Sequence, residues 1–219
     1  MTFESLVAPD GHPFAAYRAP AQGERRGGLV LIQEIFGING HIQKVADGYA
    51  AQGYEVLAPA LFDRVERDVQ LGYAEADVAR GRGLRTTLGW DLPFLDLGAA
   101  VADLSARGPV ATLGYCWGGS LSWLAASRLP IQGAVVYYGA QVPDWLTAAP
   151  RCPVLAHFGE RDPLIPGEKV AALAAAHPMV AVHRYPAGHG FNCDHRADYQ
   201  PTAARIAQNR TLAFLQAIF

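Results

Sequence analysis

Cys116 is the residue best placed to do chemistry. It lies in Gly114-Tyr115-Cys116-Trp117-Gly118-Gly119, at the end of the short apolar run Ala111-Thr112-Leu113 and just before a helix-forming segment, Leu121 to Arg128. That context puts a thiol on a sharp turn from strand to helix. Gly114 and Gly118, two positions to either side, must lack side chains if strand and helix are to approach, and the nucleophile is held in strained backbone geometry. A helix start, or a protonated imidazole nearby, favours the thiolate, the form that attacks an acyl carbon.

Two further groups complete such a site. Asp162 stands in Gly159-Glu160-Arg161-Asp162-Pro163 after the run Val154 to Phe158, and His189 stands in Gly188-His189-Gly190-Phe191 after Val180 to Tyr185. Asp-Pro is also a common turn pair, so Asp162 gains its weight from its company. The order nucleophile, acid, histidine is that of the α/β-hydrolases rather than of chymotrypsin-like or subtilisin-like proteases. In these roles His189 takes the thiol proton, pairs with the thiolate and later activates water. Asp162 fixes the imidazole tautomer and supports its charged form. The oxyanion needs backbone donors, for which the N–H groups of Trp117 and Ile35 are the candidates. Glu34, among Ile32, Ile35 and Phe36, is expected to be partly desolvated and able to hold or accept a proton near neutrality. Its plainer reading is a strand-end carboxylate facing water.

These residues need a scaffold that delivers them to one rim. Val7 to Arg18, with Pro9-Asp10-Gly11 at its centre, reads as a hairpin, and Gly28 to Gln33 as a strand buried on both faces. Asn39 caps a helix carrying Ile42, Val45, Ala46 and Tyr49, with Gly53 past its end, and Tyr54 to Pro59 restarts a strand. Leu61 to Gly89 is charged and glycine-containing, and reads as an excursion with one irregular helix over the sheet edge. Helical periodicity returns from Asp91 to Ala106, in Gly167 to His177 and in Pro201 to Ile218; Ile131 to Tyr138, Val154 to Phe158 and Val180 to Tyr185 are strands. Strands alternating with helices predict an α/β fold: a doubly wound, mainly parallel sheet with helices on both faces, residues 1–219 forming a single domain. Such sheets place their sites outside the carboxyl ends of the strands. Glu34, Cys116, Asp162 and His189 all follow predicted strands.

Composition excludes several function classes. With 18 basic and 20 acidic residues and a pI near 6.4, there is no basic stripe for nucleic acid. Apolar stretches are strand-sized, so no membrane segment is expected. The start Met1-Thr2-Phe3-Glu4-Ser5 lacks the features of a signal peptide, which makes cytoplasm the expected compartment. Cys116, Cys152 and Cys193 have no metal-ligand spacing and predict neither a disulfide framework nor a metal site. Cys152 is expected to be structural, and His157, within a strand run, a packed core histidine.

Several motifs together resemble one family, the dienelactone hydrolases (carboxymethylenebutenolidases). They are Gln33-Glu34-Ile35-Phe36-Gly37-Ile38-Asn39, Gly53-Tyr54 with Ala58-Pro59, Gly114-Tyr115-Cys116-Trp117-Gly118-Gly119, Tyr137-Tyr138-Gly139 and Ala187-Gly188-His189-Gly190-Phe191. The resemblance runs over nearly the whole chain. It implies an α/β-hydrolase fold, a Cys116-His189-Asp162 triad, no metal or organic cofactor, and opening of an unsaturated lactone or related activated ester. It also implies that Glu34 contacts the resting thiol and takes its proton when substrate binds. The expected partner is a small lactone or ester, and the expected assembly a monomer or small homo-oligomer.

In one place the chain departs from the family. The family has an arginine four residues after the catalytic histidine that helps recognise a substrate carboxylate, and Cys193 stands there instead. A second family arginine comes from the excursion, where Arg80, Arg82 and Arg85 are candidates; Arg196 is a further substitute. Phe36 and Cys193 are expected to line the substrate pocket. Other readings are a carboxylesterase or thioesterase on another activated acyl group, or a redox-sensing or binding protein with a reactive Cys116 and Cys193 as a resolving thiol.

Overall fold

Five strands are buried at every residue, as a sheet covered on both faces requires: β3 (Gly27–Ile32), β4 (Tyr54–Pro59), β5 (Val110–Tyr115), β6 (Gly133–Tyr137) and β7 (Val154–Gly159). A computed structural model describes all 219 residues. The remaining strands are β1 (Thr2–Val7), β2 (Pro13–Ala19) and β8 (Ala181–Tyr185). The helices are α1 (Gly40–Ala50), α2 (Glu75–Leu88), α3 (Leu92–Ser105), α4 (Trp117–Arg128), α5 (Gly167–Ala176) and α6 (Pro201–Ile218). Hydrogen bonding orders the strands β1-β2-β4-β3-β5-β6-β7-β8. This is a mixed α/β fold with a largely parallel sheet, as the α/β-hydrolase reading requires. By compactness the chain divides into two units, Met1–Ala111 and Thr112–Phe219.

In the first unit, β1 and β2 form the expected antiparallel hairpin, and β2 pairs antiparallel with β4 from Ala16↔Pro59 to Ala19↔Val56. β3 and β4 run parallel from Gly27↔Tyr54, linked through α1. Asn39 Oδ1 accepts the Ile42 N–H and so caps α1. The excursion holds a regular 14-residue helix, α2, where the sequence suggested an irregular one. Asp77 Oδ2 accepts the Ala74 N–H and, with Glu75, complements the helix start. The helix also lies over the loop after β3 rather than only at an edge, because Gly81 meets Ile35: a Cβ on Gly81 would stand 2.0 Å from the Ile35 carbonyl oxygen. Two buried carboxylates of this unit, Glu55 and Asp96, are paired with arginines. Glu55 takes Arg18 at 2.6 Å, Arg25 at 2.9 Å and Arg107, while Arg64 holds the buried Asp96 at 2.8 Å and Asp10 at 2.8 Å.

In the second unit, β6 and β7 pair in parallel from Ala134↔Val154, and β7 and β8 from Leu155↔Ala181. α4 packs on β6, and α6 packs on β6 and β7. A buried polar chain ties α6 to the strands. Arg210 donates to Tyr185 Oη at 3.1 Å, Tyr185 Oη lies 2.8 Å from His157 Nδ1, His157 Nε2 lies 3.1 Å from Thr211 Oγ1, and Thr211 Oγ1 lies 2.8 Å from Tyr137 Oη. Each member has at least one partner within this chain. Burial, helped by the neighbouring His183 and Arg210, holds His157 well below the usual imidazole range, so it is a neutral core histidine.

Candidate active site

The elbow at Cys116 follows from close backbone contacts. β5 ends at Tyr115 and α4 begins at Trp117, so Cys116 alone makes the turn, with φ +54°. A non-glycine residue in this region costs roughly 1–3 kcal/mol and persists only where its surroundings dictate it. The Cys116 N–H donates to the Tyr137 carbonyl at 2.9 Å, and its own carbonyl accepts the Ser120 N–H at 3.1 Å. A Cβ on Gly114 would stand 1.9 Å from the Gly118 oxygen, and one on Gly119 2.6 Å from the Tyr137 oxygen. Only glycine at 114 and 119 lets strand and helix meet this closely.

The loops after β7 and β8 are laced together at the backbone. Glu160 N–H donates to the Tyr185 carbonyl at 2.8 Å and Arg161 N–H to the Ala187 carbonyl at 3.0 Å, while a Cβ on Gly159 would collide with Ala187 O at 2.4 Å. This brings Asp162 to His189. Asp162 Oδ2 lies 2.7 Å from His189 Nδ1, and its Oδ1 accepts the Leu164 N–H at 2.8 Å. His189 Nε2 lies 3.1 Å from Cys116 Sγ. Thiol, imidazole and carboxylate form one hydrogen-bonded chain, with the histidine and the acid buried. Burial opposes a charge on His189, but the adjacent Cys116 charge, the Asp162 and Cys116 hydrogen bonds and the Asp162 charge outweigh it, and its pKa is pushed up to about 10. His189 is therefore protonated at neutral pH.

The other residues singled out in the sequence have these surroundings. Trp117 opens α4 and is buried, its amide among the first donors of the helix. Glu34 and Ile35 follow β3 directly, and Glu34 is fully buried rather than facing water. A ring nitrogen of His41, on the first turn of α1, lies within 4.8 Å of a Glu34 oxygen. Sequence reasoning missed His41, though a histidine beside Ile42 on the buried face of a helix was its signal. Phe36 is buried edge-to-face on Tyr73 at 4.6 Å. Of the excursion arginines, Arg80 pairs with Glu66, Arg82 is exposed, and Arg85 lies 5.8 Å over the Trp90 ring. Cys193 is buried, with its N–H on the Gly190 carbonyl at 2.9 Å. The Arg196 guanidinium lies flat against Gly190, where a Cβ would be 2.6 Å from its Nη1. Gly190, at φ +77°, thus makes room for a cation on the loop that carries His189.

Residues 14–219 match the family model described as the dienelactone hydrolase family. The chain belongs to the dienelactone hydrolase family. It is accordingly a carboxylic ester hydrolase of the α/β-hydrolase superfamily, with cysteine-based chemistry. A carboxymethylenebutenolidase of Pseudomonas putida is 31% identical over 228 residues, covering 96% of this chain and 94% of that protein. A carboxymethylenebutenolidase of Pseudomonas sp. (strain P51) is 32% identical over 225 residues, covering 97% and 93%. Among solved structures, the dienelactone hydrolase-like promiscuous phosphotriesterase P91 from metagenomic libraries superposes with a TM-score of 0.77 over 100% of this chain and 98% of that one. Its 22% identity makes this a likeness of fold. No helix is long and apolar enough to cross a membrane.

Proposed function

We propose that this protein opens an unsaturated, dienelactone-type lactone or a closely related activated ester through a thioester acyl-enzyme. The observation that carries this reading is the Cys116–His189–Asp162 chain, with contacts of 3.1 and 2.7 Å, in a chain of this family. Cys116 thiolate attacks the carbonyl carbon, and the ring C–O bond then breaks and frees an enolate, which takes the proton held by His189 and leaves the imidazole neutral. His189 next draws a proton from water, the hydroxide adds to the thioester, and the C–S bond breaks to return the thiolate and free the carboxylate. Asp162 holds the imidazole in the tautomer that serves both steps. The backbone amides of Trp117 and Ile35 are the proposed oxyanion donors, and Glu34 the proposed acceptor of the resting thiol's proton.

The nucleophile restricts the substrate. Thiolate leaves a tetrahedral intermediate more readily than a simple alkoxide, so attack on an alkyl ester reverts, whereas a stabilised enolate or phenolate departs. Turnover of p-nitrophenyl acetate should therefore exceed that of ethyl acetate by orders of magnitude; equal rates would sink this reading. Steady-state hydrolysis of cis-dienelactone beside an uncharged enol-lactone of similar size then tests the acid-substrate part. Preference for the dienelactone would point to a carboxylate-binding cation, and the guanidinium of Arg196 is the one we propose, from its seat on the His189 loop. Glu34→Gln, which keeps the shape and removes the acceptor, should change how Cys116 alkylation by iodoacetamide varies with pH. An unchanged profile would remove Glu34 from the mechanism.

A further inference from the structure

We propose that Tyr138 is a positioning residue for His189: its ring, delivered off the end of β6 by a strained backbone turn, sets the plane of the imidazole. The proposal rests on the reading of His189 as the general base.

Three observations carry it. Tyr138 is fully buried with φ +39°, one of three non-glycine residues in the chain with positive φ, and another of these is Cys116 itself. A bulky residue in that region is an outlier that its surroundings must enforce. Here they do: the Tyr138 N–H donates to the His157 carbonyl at 2.8 Å, and a Cβ on the next residue, Gly139, would lie 2.9 Å from the Ser120 nitrogen. Second, the turn aims the ring at the site. The Tyr138 and His189 ring centroids are 5.2 Å apart at 62°, and Phe191 stands edge-to-face behind Tyr138 at 5.4 Å and 71°.

The third observation is what the triad leaves undetermined. The two hydrogen bonds of His189, to Asp162 Oδ2 and Cys116 Sγ, both leave in the plane of the imidazole. Two hydrogen bonds alone leave the ring some rocking about its Cα–Cβ and Cβ–Cγ bonds, which bends both hydrogen bonds. A ring packed at 62° removes that freedom. Charge around His189 comes from Cys116 and Asp162, with Asp198 against Gly188 and Arg196 against Gly190 on its own loop. Tyr138 acts by shape, so phenylalanine should replace it and a flexible aliphatic side chain should not.

The test compares Tyr138→Phe, Tyr138→Leu and Tyr138→Met in the full chain. It reads kcat and KM for p-nitrophenyl acetate and, by NMR of isotope-labelled histidine, the titration midpoint of His189. Tyr138→Phe should stay within about twofold of wild type on all three. Tyr138→Leu should lose about tenfold or more in kcat at nearly constant KM. Its His189 midpoint should fall by roughly one pH unit, as the contacts that hold the proton loosen. Tyr138→Met, which fills volume without a flat ring, should behave like Tyr138→Leu and serves in its place if that variant does not fold. Leu or Met variants that match Tyr138→Phe in kcat, or that keep the wild-type His189 midpoint, would overturn the proposal. If wild type turned over no ester, the proposed function would fail while the midpoint comparison still decided the positioning.

Discussion

Cys116→Ala should lower kcat on an activated ester by about 10⁴-fold or more, to the background of the folded protein without its nucleophile. Alanine removes only the sulfur, so the turn at φ +54° and its bonds to Tyr137 and Ser120 remain, and the circular dichroism spectrum and thermal midpoint should stay near wild type. Rapid mixing with p-nitrophenyl acetate should give an acyl adduct on wild type, seen by intact mass, and none on the variant. Residual turnover at more than a hundredth of the wild-type rate would place the nucleophile elsewhere, and the Cys116–His189–Asp162 chain would then lose its proposed role.

Asp162→Asn carries the second large effect. The amide is the same size but presents an N–H or a neutral oxygen where a carboxylate accepted the Nδ1 proton, and kcat should fall by roughly 10³–10⁴-fold with little change in KM. Its pH signature has a definite sign. His189 is held protonated up to about 10, above the ordinary imidazole value of 6.5. The stability it lends is therefore whole below 6.5 and disappears as pH rises through the folded value. Losing Asp162 lowers that folded value and narrows the window from its alkaline side. Denaturant unfolding at pH 6 and pH 9 should show wild type losing more stability between the two than the variant; parallel losses would show that Asp162 does not support the imidazole charge.

Much of this was legible in the sequence because the fold gives strand ends a meaning. Cys116, Asp162 and His189 each follow an apolar run, and a parallel sheet delivers the residues after its strands to one rim. Gly114 was legible for the same reason, whereas the sequence pointed to Gly118 and the close approach to Tyr137 falls at Gly119. What stayed hidden depends on contacts that leave no period in the chain. Arg80, Arg82 and Arg85 dilute the apolar face of α2, whose buried residues are Gly81, Leu84 and Leu88, so its regularity was not apparent. The positive φ of Tyr138 is set by contacts with Ser120 and His157, far along the chain, and its residue type does not announce it. Replacement of a family arginine by Cys193 was visible, but that Arg196 would lie on Gly190 was not, because the turn from 190 to 196 decides it.

The polar chain through Thr211 also bears on how the protein is made. Its bonds join Tyr137 to Thr211 across 74 positions and His157 to Thr211 across 54, so a ribosome emits β6, β7 and β8 well before the helix that satisfies them. Until α6 docks, an imidazole and two phenols lie in a forming core without that partner, and an unsatisfied buried polar group costs on the order of 1–3 kcal/mol. Before α6 docks, β6 and β7 lack both its cover and those bonds, so the second unit is completed only by its last element.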